Sequence, residues 1–575
     1  MLEVKGPRLS IALILIAFLP GAARAQAPPF GEPTGRPGEP PPLLREEPRP
    51  PPPLPILPPL PPPPRRELEP LPRDGVFVRE IRVVGSTVFS SAELAQVTAP
   101  YIDRELTAED LEALRLALTL LYVNNGYINS GAILPDQTVT EGMITYQIIE
   151  GGLTDIEVEG ARWFRAGYLK RRLALAAGRP LNVSALQQQL QLLLEDPRIL
   201  RLNTVLKPGL KPGEGVLDVR VEERLPFKLF LEFNNYQSPS VGAERGLVTL
   251  EHQNLTGNGD ILTLRYGKSE GVDPLLDFKY SLPFTARDTT VSLQYRKNTF
   301  AVIERGFKDL KIDSNSEIYT VTLRQPIYRT LSDEVALELI GERLSDETSL
   351  LGRPFSLSPG AQKGESVVTA IRTAQEWVHR TATQVLAGRS RFSVGIDALG
   401  STLNNHDENI PDSRFFSWLG QFQWVQRLPI VDTTLLYRFD LQLAANPLLV
   451  LEQLAVGGRY SVRGYRENTL VRDNAFLTSL EARVPLVRNV PGADYLELAP
   501  FVDYGRAWQT KHRTLDPQDI ASVGIGLRWA ASIPFLVPLR PQLEVYWGHA
   551  LRDVKTSGGN LQDKGVHLQF VLGAF

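Results

Sequence analysis

The sequence predicts an α+β N-terminal half followed by an all-β one: two small α/β modules, then a transmembrane β-barrel of roughly sixteen antiparallel strands. Three observations predict it. From Pro226 to the end, about 350 residues alternate with period two and show no long amphipathic helix. The connections between those runs fall into two classes, short and stereotyped on one side, long and polar on the other. Ahead of them, a segment of about 75 residues is repeated.

Composition narrows the class. A formal net charge of -3 with 22% charged residues, spread along the chain, gives no basic stripe for nucleic acid. The chain has no cysteine, which excludes disulfides, thiolate metal sites and thiol catalysis and fits an exported protein. The histidines are isolated, no nucleotide-binding glycine loop is present, and no enzyme, cofactor or metal is expected.

Residues 1–25 read as an export signal. Lys5 and Arg8 precede an apolar run from Leu9 to Leu19, and Ala23-Arg24-Ala25 supplies a small-residue cleavage site. That run is too short to span about 30 Å of hydrocarbon, and no later segment offers a helical span, so a membrane crossing has to be made by strands. Residues 26–75 are proline-rich, including Pro50 to Pro53 and Pro61 to Pro64. Such a run favours extended polyproline backbone without a packed core.

The repeat sets Ile81-Arg82-Val83-Val84-Gly85 against Ile156-Glu157-Val158-Glu159-Gly160. In each copy a short strand ends at glycine and two helices follow. The first copy, 76–150, expects helices from Ser90 or Ser91 and over Ala108–Asn124 after a Thr107 cap, then strands Tyr127–Leu134 and Gly142–Glu150. The second, 151–225, expects helices from near Arg165 and over Ser184–Leu194, then strands Leu200–Lys207 and Gly215–Glu223. A three-stranded sheet of this kind has edges that can accept an extended peptide.

In the barrel, 226–575, the tight connections are Thr256-Gly257-Asn258-Gly259, turns after Pro283, Pro326, Pro429, Pro485 and Pro534, and one near Gly388. Long polar stretches lie near 237–245, 268–274, 298–317, 342–365, 400–413, 446–474, 506–519 and 549–564. Eight long loops alternating with seven short turns give sixteen strands, with both ends of the barrel on the periplasmic, short-turn side. The chain closes on an aromatic, Phe575, although the stronger apolar residues Leu568, Phe570 and Leu572 have the opposite parity.

The sixth long loop holds Gly457-Gly458-Arg459-Tyr460-Ser461-Val462-Arg463-Gly464-Tyr465, whose glycines permit a defined, tight conformation around an arginine. In Tyr495–Gly505, one parity is apolar and faces lipid. The other, with Glu497, Phe501, Asp503 and Gly505, faces the lumen of the thirteenth strand. Asp503 is thus a candidate partner for Arg463, with Glu481 and Glu497 as rival lumen carboxylates, and Gly505 leaves room for another backbone.

The β-α-α-β-β modules resemble POTRA domains. Val462-Arg463-Gly464-Tyr465 resembles the sixth-loop signature of the outer-membrane assembly and secretion superfamily, and Phe501-Val502-Asp503-Tyr504-Gly505 its Phe-x-Asp-x-Gly motif. Two modules ahead of sixteen strands resemble the TpsB transporters of two-partner secretion, the haemolysin and filamentous-haemagglutinin secretion proteins. The resemblance implies an inward-folded loop latched by Arg463 on Asp503. It implies an outer-membrane location among lipids, with the modules in the periplasm. It also implies a large exoprotein partner, haemagglutinin- or haemolysin-like, bound unfolded and translocated. The alternative is a barrel-assembly factor of the same superfamily, which usually carries more than two modules. The proline-rich segment departs from the plugging N-terminal helix that such transporters often carry.

Overall fold

The computed structural model describes residues 75–404, 407, 409–535, 537–556 and 559–575. The expected export signal and all but Gly75 of the proline-rich segment lie outside the described residues.

In the first module, Met143–Ile149 forms the centre of a three-stranded sheet. Glu80–Val84 runs parallel to it on one side and Gly131–Ile133 antiparallel on the other. Helices Ser91–Thr98 and Ala108–Asn124 start where their capping residues direct. The Ser90 and Thr107 hydroxyls accept the amides of Glu93 and Asp110, whose carboxylates accept the cap amides in return. Leu114, Leu118 and Tyr122, four residues apart, form one buried stripe against Ile144, Tyr146 and Ile148. The closing strand expected over Tyr127–Leu134 shrinks to three residues. The Tyr127 amide turns back to the Tyr122 carbonyl and the Ser130 amide to Tyr127, so the chain is in a turn until Gly131. A short ribbon, Val76–Val78 on Arg104–Leu106, was not expected; it buries Val78 and Leu106 in the same core.

The second module repeats the topology. Glu214–Glu223 is central, parallel to Gly152–Glu159 and antiparallel to Ile199–Pro208, with helices Ala166–Leu173 and Val183–Leu194 packed through Leu169, Leu173, Leu186 and Leu190. The repeated glycine has a physical cause. Gly85 and Gly160 both take positive φ, 86° and 79°, and a Cβ there would stand 2.6 Å from the Ile148 carbonyl oxygen and 2.5 Å from that of Val221. After each glycine, a carboxylate at the end of the central strand collects the turn's amides. Glu150 accepts those of Thr87 and Val88 at 2.7 and 3.1 Å, and Glu223 those of Arg162, Trp163 and Phe164 at 3.2, 2.6 and 3.0 Å.

From Phe227 to Ala574, sixteen antiparallel strands close into a barrel, the last (Val566–Ala574) pairing with the first (Phe227–Asn234). Several expected turns move. Pro326 and Pro485 lie inside the sixth (Ile312–Arg329) and twelfth (Asn474–Val490) strands, beside register shifts, because a bulge tolerates the missing amide. The turns that follow are at 330–332 and 491–492. Gly388 is within the ninth strand (Gln384–Ile396), after a turn at 381–383. The stretch near 268–274 is no long loop, since strands end at Ser269 and resume at Val272. Phe575 packs on Phe230 with centroids 5.6 Å apart and lies beneath the Arg540 guanidinium, while Phe570 stays exposed on the lipid side. The terminal ring thus belongs to the lumen parity, which accounts for the mismatch in the sequence. Among the described residues, no helix is long and apolar enough to cross a membrane.

Candidate functional site: the inward-folded sixth loop

Loop 6 joins the eleventh strand (Thr434–Ala444) to the twelfth and turns into the barrel. Its stem is a small hairpin of Leu454–Val456 on Leu470–Arg472, and beyond it Gly457, Gly458 and Gly464 take φ of 110°, 104° and 88°. These values are strained for any side chain, and space forbids one too: a Cβ on Gly464 would lie 2.8 Å from the Gly548 carbonyl oxygen. The wall supplies the matching gap at Gly505 on the thirteenth strand (Ala493–Trp508), where a Cβ would meet Val456 at 2.5 Å and Val462 at 2.9 Å.

Arg463 is the centre of the site. Its Nε and Nη2 donate to Asp503 Oδ2 and Oδ1, both at 2.8 Å, and its backbone amide donates to Oδ2 at 3.0 Å. Nη2 also donates to Ser479 Oγ at 3.1 Å, and Nη1 pairs with Glu481. The guanidinium lies over the Phe501 ring at 3.6 Å. Ser479 in turn donates to Asp503 Oδ1 at 2.6 Å. Arg463 is 3% and Asp503 1% exposed, so this is a fully desolvated, bidentate pair in which each carboxylate lone pair is occupied. Truncating one partner of such a pair strands the other charge and costs about 3–5 kcal/mol.

The remaining predicted residues fall around this pair. Val462 is buried on Gly505, and Tyr465 donates to the Ala521 carbonyl at 2.9 Å while accepting the Arg552 amide at 3.1 Å. Glu481 is no rival to Asp503 but a second partner, shared with Arg483 at 2.8 Å. Glu497 does not reach Arg463; it accepts from Arg528 Nη1 at 2.8 Å. Sequence reasoning missed four further contacts of the tip. Arg459 reaches Glu544 at 2.8 Å, Arg466 pairs with Asp563 and reaches Glu304 at 2.7 Å, and the Gly464 amide donates to His567 Nε2 at 3.2 Å. Glu544 and His567 share lumen parity on the last two strands, so alternation gives the face they occupy but not their meeting with the loop.

A second arginine-aspartate contact joins the second module to the periplasmic rim. Arg172 pairs with Asp288 in the turn after the fourth strand (Val272–Pro283), and its guanidinium lies over Tyr168 at 3.6 Å. Arg329 reaches the same Asp288 at 2.7 Å, and the Arg165 amide donates to the Gly257 carbonyl at 2.9 Å.

The family comparisons fit this geometry. The family model described as "Haemolysin secretion/activation protein ShlB/FhaC/HecB" matches residues 213–529, more than half of the chain, and that of the "POTRA domain, ShlB-type" matches residues 76–151. The chain belongs to the ShlB/FhaC/HecB family. It is 25% identical over 399 residues to the outer membrane transporter CdiB of Dickeya dadantii (68% of this chain, 69% of the relative). To the heme/hemopexin transporter protein HuxB of Haemophilus influenzae it is 24% identical over 463 residues (76% and 77%). The solved structure of CdiB from Escherichia coli shares the fold, with a TM-score of 0.62 at 20% identity over 90% of this chain and 93% of that one. This family member is thus an outer-membrane β-barrel transporter with POTRA structure on its periplasmic side.

Proposed function

We propose that the barrel carries one large secreted exoprotein to the cell surface by two-partner secretion, after its POTRA modules capture that protein unfolded. The observation that carries the reading is the state of the sheet edges. Among the described residues, Glu80–Val84 in the first module and both outer strands of the second pair on one side only. The other edge of the first module is closed: the Ala132 amide donates to Thr119 Oγ1 at 3.1 Å, and its carbonyl accepts from Arg115 at 3.4 Å. An extended cargo segment adds to an open edge through main-chain hydrogen bonds, which read no particular sequence and suit an unfolded chain. The proposed division is 76–150 and 151–225 for the modules and 226–575 for the barrel, behind an export signal over 1–25.

With no nucleotide-binding loop in the sequence, folding of the cargo outside supplies the direction of transport. Val462, Arg463, Gly464 and Tyr465 hold loop 6 in the lumen against Phe501, Asp503 and Gly505, and so fix the shape of the pore at rest. Deleting residues 76–223 is expected to abolish secretion while leaving a heat-modifiable barrel in the outer membrane; continued secretion would overturn the capture role.

A further inference from the structure

Loop 6 has a second fastening far from its tip. The limb that leaves the eleventh strand makes a short turn at Val450–Glu452 and reaches the inner wall of the seventh (Asp333–Leu350) and eighth (Glu365–Arg380) strands. There Glu452 accepts from Arg372 Nη1 and Nη2 at 2.9 and 2.6 Å, and Arg372 also donates to Glu342 from Nε and Nη2 at 2.9 and 2.7 Å. The side chains of Arg372 and Glu452 are 3% and 6% exposed. Beside them Leu448 and Leu449 are fully buried against Ile318, Leu344, Val368 and Phe415, so the limb lays apolar side chains across a polar channel.

We propose that loop 6 is a strap with one fixed and one releasable end. The limb bearing Leu448, Leu449 and Glu452 lifts off Arg372 to open the lumen, while the Arg463 tip stays seated. Two contrasts between the ends support this. When Glu452 leaves, it carries its own charge toward water and Arg372 keeps Glu342, with Arg296 and Arg391 further cations facing this site. When Arg463 leaves, Asp503 keeps a hydrogen bond from the Ser479 hydroxyl with Arg438 the cation near it, Glu481 keeps Arg483 and the Tyr546 hydroxyl, and both carboxylates stay buried in the wall. The tip is also keyed to the barrel wall by backbone against backbone, Gly464 on Gly548, whereas the wall meets the limb through side chains that can turn aside, and the limb's backbone bridge, Leu448 on Asp412, is to a surface loop. This inference rests on the transport reading, but its test needs no cargo, so either can fail alone.

The cysteine-free chain allows single thiol probes. Leu449→Cys and Ser461→Cys, placed on limb and tip of the full chain in intact cells, are treated from outside with a membrane-impermeant sulfonated maleimide. Glu452→Gln removes a charged hydrogen-bond pair and is expected to speed labelling at 449 by about tenfold and leave 461 unchanged. Arg372→Gln is expected to do the same, the double change adding little, with heat-modifiable mobility retained throughout. Purified Glu452→Gln protein in planar bilayers should also spend more time at high conductance. Unchanged labelling at 449 in both variants, or equal acceleration at 461, would overturn the strap.

Discussion

The loop 6 tip and the periplasmic rim use one contact in two settings. Arg463 lies 3.6 Å over Phe501 and pairs with Asp503; Arg172 lies 3.6 Å over Tyr168 and pairs with Asp288. The arginine side chains are equally buried, at 4% and 5% exposure, but the aspartates are not, at 0% for Asp503 and 31% for Asp288. Solvent and the second arginine, Arg329, already stabilise Asp288, so losing Arg172 strands little charge there. Asp503 has no solvent, and beyond Arg463 only the Ser479 hydroxyl and the more distant Arg438 support it. The same pair of side chains therefore makes a fixed joint in the lumen and an adjustable one at the rim, and desolvation of the carboxylate decides which.

The largest expected effect comes from Arg463→Ala. It leaves Asp503 buried without its paired cation and Glu481 with Arg483 alone, and weakens loop anchoring by about 3–5 kcal/mol, read as loss of secretion and protease cleavage within loop 6. Gly464→Ala attacks the same joint through the backbone, where positive φ and the Gly548 carbonyl leave no room. A cost of about 1–3 kcal/mol should give a partial secretion defect, and Ala at the unstrained, open Gly341 should give none. At the rim, Arg172→Gln, which leaves the part-exposed Asp288 to Arg329 and solvent, should cost only about 1 kcal/mol and respond to salt, seen as faster proteolysis between module and barrel at low ionic strength than in the unaltered chain.

The smallest effect is one of pH, in the first module. Burial pushes the Glu150 carboxyl up, but hydrogen bonds from the Thr87 hydroxyl and amide, the Tyr122 hydroxyl and the Val88 amide outweigh it and hold it below the usual glutamate range. A carboxyl depressed by folding stabilises fully above its unfolded pKa and loses that contribution as pH falls through the folded value. The module should weaken below about pH 4. Near-ultraviolet dichroism of the full chain should show this loss, and Glu150→Gln should flatten it.

How much of this was legible in the sequence differs between the same regions. The barrel's strand number and the thirteenth-strand position of Asp503 followed from alternation and loop length, both set by a wall with one lipid and one lumen face. Prolines misplaced the turns because Pro326 and Pro485 occupy bulges, and a bulge and a turn both dispense with an amide. The helix caps at Ser90 and Thr107 were local and readable. The partners Glu544, Asp563, Glu304 and Arg372 were not, because each depends on where an inward loop crosses the lumen, and strand parity supplies only the face, never the height. The rim contact was equally hidden, since Arg172 in the second module and Asp288 in the barrel lie 116 residues apart.

The most direct test of the fixed joint is a double-mutant cycle on secretion with Arg463→Ala, Asp503→Ala and both together. Two residues acting as one desolvated pair predict that each single change impairs secretion and that the double change costs little more than either. Losses that simply add would show that Arg463 and Asp503 act separately, and would contradict the account.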